Sequence, residues 1–132
     1  MRYMLDTNIC IYAIKNQPQQ VLAHLREHED EGIGISSISV GELYFGVVIS
    51  GSAKNLVALQ QFLEPLEIAD FDVSAAQAYG DLRYKLEKSG TPIGPLDTQI
   101  AAHALALEVT LVTNNGREFA RVPELKWVNW AE

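Results

Sequence analysis

Val109-Thr110-Leu111-Val112-Thr113 is an unbroken run of β-branched and aliphatic side chains, followed at once by Asn114-Asn115-Gly116. A strand with one wet face alternates polar and apolar residues, and this one does not. It reads as a strand buried on both faces, the pattern of a parallel sheet with helices above and below. The segment before it fits that frame. Thr91-Pro92-Ile93-Gly94-Pro95 has strong turn chemistry. Pro95 suits the first position of a helix, which continues through Ile100-Ala101-Ala102-His103-Ala104-Leu105-Ala106-Leu107. Downstream, Trp127-Val128-Asn129-Trp130 reads as a last strand.

The same alternation extends back to the N-terminus. Residues 2–5 predict a strand ending at Asp6, and Asp6-Thr7-Asn8 are turn and cap residues that open a helix to about Lys15. Pro18 opens a second helix carrying Val21, Leu22 and Leu25. Gly32-Ile33-Gly34-Ile35-Ser36 predicts a second strand. Ser36 or Ser37 caps a third helix, with Val40, Leu43, Tyr44 and Val47 along one side, and Gly51-Ser52 breaks it. A fourth helix runs to about Glu64, residues 65–71 hold a third strand, and residues 74–89 form a long helix. Strands alternating with helices predict an α/β fold with a parallel sheet covered on both sides.

The 132 residues suit one domain, 1–132, with a real core. Asp6 interrupts any signal-like apolar run, and no stretch approaches the ~20 residues of a membrane helix, so no membrane role is expected. The one cysteine, Cys10, lies within Ile9-Cys10-Ile11 and reads as a small buried residue, which suits a reducing cytoplasm. The net charge of −7 argues against a broad non-specific grip on nucleic acid. It leaves room for an enzyme whose acids are neutralised by a divalent cation. The acid run Glu27, Glu29, Asp30, Glu31 reads as a solvated helix end and turn.

Open parallel sheets build sites at the carboxyl ends of their strands. Asp6 ends the first predicted strand, Glu118 follows the strand at 109–113, and Glu42 and Asp97 stand early in helices. The fold lets these four acids converge. Separated carboxylates supply the oxygen ligands that Mg²⁺ or Mn²⁺ prefers, and such ions activate water for phosphodiester cleavage. Each acid also has a plain structural reading: Asp6 as a helix cap, Asp97 as a complement to a helix dipole, Glu118 as an exposed acid beside Arg117. Glu42 is harder to dismiss, because an unpaired charge in the apolar segment around it is costly. No cysteine–histidine cluster is expected among His24, His28 and His103.

Four motifs carry a resemblance: Met4-Leu5-Asp6-Thr7-Asn8, Ser36-Ser37-Ile38-Ser39-Val40-Gly41-Glu42-Leu43, Ile93-Gly94-Pro95-Leu96-Asp97-Thr98-Gln99-Ile100-Ala101-Ala102 and Leu111-Val112-Thr113-Asn114-Asn115-Gly116-Arg117-Glu118-Phe119. Together they span the chain, which resembles the PIN-domain proteins, specifically the VapC-type toxins of type II toxin–antitoxin modules. The resemblance implies a three-layer α/β/α fold with a twisted, mainly parallel sheet, and an endoribonuclease dependent on Mg²⁺ or Mn²⁺. It makes Asp6, Glu42 and Asp97 the acidic metal-binding core. Many members place a fourth Asp where this chain has Asn115. Members with this Thr-Asn-Asn variant keep a Glu at the position of Glu118, which gives Glu118 the fourth role. Thr7 and Asn8 are implied to orient Asp6, and Thr113 and Asn115 to hydrogen-bond the site or substrate.

The resemblance further implies a VapB-type antitoxin partner, a toxin homodimer, operator DNA bound only through the antitoxin, and structured RNA as substrate. That RNA is chiefly tRNA, with the anticodon loop of initiator tRNA favoured in enterobacterial-like members. Tyr44, Phe45, Val47 and Val48 spread over more than one helical face and offer part of an antitoxin groove, though core packing explains most of them equally well. Lys15, Arg83, Lys85, Lys88, Arg117 and Arg121 are the basic candidates for RNA backbone contact. Three rivals stand beside this reading. An aspartyl phosphatase would carry a second Asp where Asn8 stands. A nucleotide-binding module would rest on Gly32-Ile33-Gly34, a weak signal alone. A catalytically inactive PIN-like protein would act only through its partner.

Overall fold

A computed structural model describes residues 1–132. Five strands form one all-parallel sheet: β1 (Tyr3–Leu5), β2 (Ile33–Ser36), β3 (Glu67–Ala69), β4 (Thr110–Val112) and β5 (Trp127–Val128). Seven helices connect them: α1 (Thr7–Lys15), α2 (Gln19–His28), α3 (Ser37–Ser50), α4 (Ala53–Leu63), α5 (Val73–Lys88), α6 (Pro95–Leu107) and α7 (Gly116–Phe119), with a 3-10 turn at Glu29–Glu31. The α/β/α reading holds, and the sheet is parallel throughout.

The strand order is β3-β2-β1-β4-β5. The chain moves outward from β1 to β3, then returns across β1 to lay down β4 and β5. The direction of progression therefore reverses at β1, and a crevice opens at the carboxyl ends of β1 and β4. Their register pairs Leu5 with Val112, so Asp6 and Thr113 leave the sheet side by side.

Two-residue periodicity divides the central strands between two cores. Met4 and Leu111 face one, with Leu82 and Leu86 of α5, Ile100 and Ala101 of α6, and Phe119. Leu5 and Val112 face the other, with Ile9 and Cys10 of α1, Val21 of α2, Leu43 of α3, and Leu59 and Leu63 of α4. Burying both faces of three-residue strands explains why the 109–113 run shows no polar alternation. No helix is long and apolar enough to cross a membrane.

One side of α3 is less uniform than its spacing predicts. Leu43 is buried and Val40 and Val47 are half-buried, but Tyr44 is exposed. A helix that is mostly apolar all round leaves some of those residues outside any core it lies on.

Gly34 marks the tightest backbone approach in the sheet. A Cβ there would stand 2.5 Å from the Glu67 carbonyl oxygen on β3 as well as against the Met1 side chain. The side chain could move aside; the carbonyl, tied into the β2–β3 ladder, could not. Gly34→Ala should therefore destabilise the protein by about 1–3 kcal/mol, measured as a lower urea midpoint, while Gly41→Ala, with open space around it, should not.

Candidate active site

Asp6 begins the site because the chain changes structure there. Leu5 is the last residue of β1, and Asp6 is the N-cap of α1, its Oδ1 accepting from the Ile9 amide at 2.9 Å. The cap reading of Asp6 holds, and the cap bond fixes the carboxylate at the strand end. The Thr113 hydroxyl, fully buried, donates to Asp6 from the end of β4 and accepts from the Asn115 amide at 3.0 Å. Asp6 is only 5% exposed. Burial pushes its carboxyl above the ordinary range, opposed by these hydrogen bonds and reinforced by the nearby Glu42 charge.

Glu42 lies in the second turn of α3, which Ser36 caps by accepting from the Ile38 amide at 3.1 Å. The Thr7 hydroxyl donates to Glu42 Oε1 at 2.7 Å. Thr7 therefore holds Glu42 and not Asp6. Asn8 contributes its backbone amide to Asp6, while its side chain is exposed. In the first turn of an N-capped helix the amides point back at the cap residue and the side chains point away.

Asp97 stands in the first turn of α6, and Glu118 in the short α7. They share a hydrogen bond. Glu118 is fixed from three further directions. The Gly94 amide donates to Oε1 at 2.7 Å, the Asn115 side chain donates to Oε2 at 2.6 Å, and Arg121 lies close enough to favour its charge. The pair therefore holds one proton unevenly. The hydrogen bond from Asp97, with these donors, holds the Glu118 carboxyl below its usual range. Asp97 rises from its ordinary value of 3.8 to about 7, first through burial, then through Glu118, with Asp6 and Glu42 adding to it. Asp97 thus lies within electrostatic reach of the other three acids. No cation in the chain pairs with Asp6, Glu42 or Asp97.

Sequence reasoning did not anticipate the Gly94 amide as a donor to Glu118, or Asn114 Nδ2 donating to the Tyr12 hydroxyl at 2.7 Å. Backbone donors have no sequence signature. Nor did it see that His24, Glu27 and His28 on α2 bring one ligating atom each within 4.8 Å of one another, although their i, i+3, i+4 spacing carries that signal. The acid run is solvated as expected, with Glu27, Glu29, Asp30 and Glu31 all exposed, and Glu31 contacts both Arg2 and His28. Among the basic candidates, Arg83 is tied to Glu87 and Tyr79 along α5, and Arg121 donates to the Pro92 carbonyl.

An all-parallel α/β sheet with four acids gathered at its switch point has the architecture of a carboxylate-centred hydrolase. Comparison with known proteins narrows that class. The PIN domain family matches residues 3–125. A protein of Rickettsia felis named ribonuclease VapC2 is 46% identical over 132 residues, with 98% of each chain covered. A Salmonella typhimurium protein named tRNA(fMet)-specific endonuclease VapC is 40% identical, again with 98% of each covered. The crystal structure of VapBC2 from Rickettsia felis bound to a promoter DNA fragment superimposes with a TM-score of 0.90, covering 98% of this chain and 99% of that one. This chain belongs to the PIN-domain family and, within it, to the VapC-type ribonucleases.

The raised Asp97 value makes a thermodynamic prediction. In the folded protein Asp97 keeps its proton up to about pH 7, whereas unfolded it releases it near 3.8. The unfolded state thus binds fewer protons across that window, and this group costs stability progressively as pH rises through it. In metal-free protein, Asp97→Asn should therefore raise the melting temperature more at pH 8 than at pH 5.

Proposed function

We propose that this protein is the toxin of a type II toxin–antitoxin module, an endoribonuclease that uses Mg²⁺ or Mn²⁺ to cleave structured RNA and so inhibit translation in the cytoplasm. The observation that carries the proposal is the convergence of Asp6, Glu42, Asp97 and Glu118 without a cation among the first three. The donor set fits a hard divalent ion. All four donors are carboxylate oxygens, and Asp97 and Glu118 hold a proton where a metal would otherwise hold the charge. Asp6, Glu42 and Asp97 would hold the ion, with Glu118 as the fourth acid. Bound there, it would neutralise phosphate charge and make a water more acidic.

The protein's own part is to orient. Thr113 and the α1 amides fix Asp6, Thr7 fixes Glu42, and Asn115 with the Gly94 amide fixes Glu118. The Asp97 side chain must release its proton before it can ligate, so apparent metal affinity rises with pH through about 7. The Salmonella relative's name specifies initiator tRNA. We take tRNA, with its anticodon loop as the cleavage region, as the substrate here. The phosphatase rival loses its second acid at Asn8, whose side chain points into solvent. The nucleotide-binding rival loses its loop: Gly34 lies within β2, at a close approach to Glu67.

The partner is a VapB-type antitoxin. A groove of about 310 Å³ lined by Ile11, Ile14, Leu43, Val47 and Leu59 runs up to Glu42. Beside it Phe45 and Val48 are 66% and 75% exposed. An amphipathic segment laid in that groove reaches the acid crevice with its next residues, and a basic side chain there is attracted to the carboxylates. The assembly is a toxin homodimer that meets operator DNA only through the antitoxin.

Purified protein should cleave RNA with Mg²⁺ or Mn²⁺ and stop on addition of EDTA. Asp6→Asn and Asp97→Asn should reduce cleavage to background with unchanged circular dichroism, and normal cleavage by either would refute the site. Thr113→Val should cost roughly 10- to 100-fold, with the larger part recovered at high Mn²⁺. Phe45→Glu and Val48→Glu should retain cleavage but escape relief by the antitoxin, read as growth arrest that co-expression no longer reverses.

A further inference from the structure

His24, Glu27 and His28 stand at i, i+3 and i+4 on the last two turns of α2, so their side chains share one face. One ligating atom from each lies within 4.8 Å of the others. Around a tetrahedral ion with bonds of about 2.1 Å, such atoms sit about 3.4 Å apart. The side-chain torsions of the exposed Glu27 can supply the closure.

Three features distinguish this group from a chance surface cluster. His24 Nδ1 is shielded from solvent and has no hydrogen-bond partner, the nearest carboxylate oxygen being Glu27 Oε2 at 3.9 Å. His28 is oriented: its Nδ1 meets Glu31, which in turn accepts from Arg2 Nη1 at 2.9 Å. A carboxylate can only accept, so Nδ1 carries a proton, and Nε2 is the nitrogen left to face a metal. A carboxylate holding the far nitrogen of a ligating imidazole is the usual support of a metal-binding histidine. Finally, both rings lie nearly parallel to the buried indole of Trp130, at 15° and 8°, with centroids 5.6 and 5.0 Å away. Tyr3 packs on both His28 and Trp130 at 5.0 Å.

We propose that His24, Glu27 and His28 form a second metal site, separate from the carboxylate crevice and selective for a borderline divalent transition ion, Zn²⁺ in the first instance. Two imidazoles and one carboxylate suit Zn²⁺, Ni²⁺ and Cu²⁺ and discriminate against Mg²⁺, the reverse of an all-oxygen crevice. Tyr3 opens β1 and Asp6 follows its end, so strand rise alone separates the two sites by about 10 Å. The site joins the end of α2 to the C-terminal segment through Trp130, so occupancy stabilises the fold without entering the chemistry.

The test is a titration of untagged, full-length, metal-free protein with Zn²⁺ at pH 7.5, followed by calorimetry and tryptophan fluorescence. One equivalent should bind in the micromolar range, perturb the Trp130 emission, raise the melting temperature and persist in excess Mg²⁺. His24→Gln and His28→Gln should each weaken binding at least tenfold while leaving RNA cleavage and circular dichroism unchanged. Glu27→Gln, which leaves both rings on the indole, should weaken it several-fold. Asp97→Asn should bind Zn²⁺ as the wild type does. The proposal is overturned if the wild type binds no Zn²⁺ in that range, if the histidine variants bind normally, or if Asp97→Asn alone abolishes binding.

Discussion

Four carboxylates held in one crevice repel one another, and the structure around them exists to hold them there. Chain topology alone does not place charge: an acid that keeps its charge must be held against its neighbours by something that favours its anion. Asp6 has the first amides of α1 and Glu118 the Gly94 amide and Asn115, whereas everything that acts on Asp97 disfavours its charge. Helix N-termini supply unpaired donors and a positive dipole end. Glu42, deeper in its helix, has no free amide and takes the Thr7 hydroxyl instead. What these contacts leave uncompensated appears at Asp97 as a retained proton.

The sheet makes this possible. Because β1 lies centrally and β4 returns beside it, one strand end delivers Asp6 and its neighbour delivers Thr113 to it, with Asn115 next in the chain to hold Glu118. Short strands buried on both faces keep those ends rigid. A shift of one residue in the β1–β4 register would exchange the two cores and move Asp6 away from Thr113.

Much of this was legible in the sequence, for identifiable reasons. Strand ends and helix starts are written in local chemistry: Asp6, Ser36 and Pro95 mark junctions whatever the tertiary structure. The four acids could be placed at one edge because each follows such a junction. What local chemistry does not record is the partner of each group. Thr7 bonds Glu42, 35 residues away, and not its neighbour Asp6. Asn8 acts through its amide, and the Gly94 amide serves an acid 24 residues on. The exposure of Tyr44 depends on how α3 is rotated against the core, which an almost wholly apolar helix does not specify. The ring stack on Trp130 unites segments about a hundred residues apart, so the helical spacing of His24 and His28 shows that they are neighbours but not what supports them.

The central claim is that the four acids together bind the divalent ion on which the chemistry depends. Crystals of the protein soaked in Mn²⁺ and measured for anomalous scattering test it most directly. The account predicts a strong anomalous peak within ligand distance of Asp6 and Asp97, on the side facing Glu42 and Glu118, and its loss in Asp6→Asn. A fully soaked crystal with no peak in that crevice, or with its peak undiminished in Asp6→Asn, would contradict it.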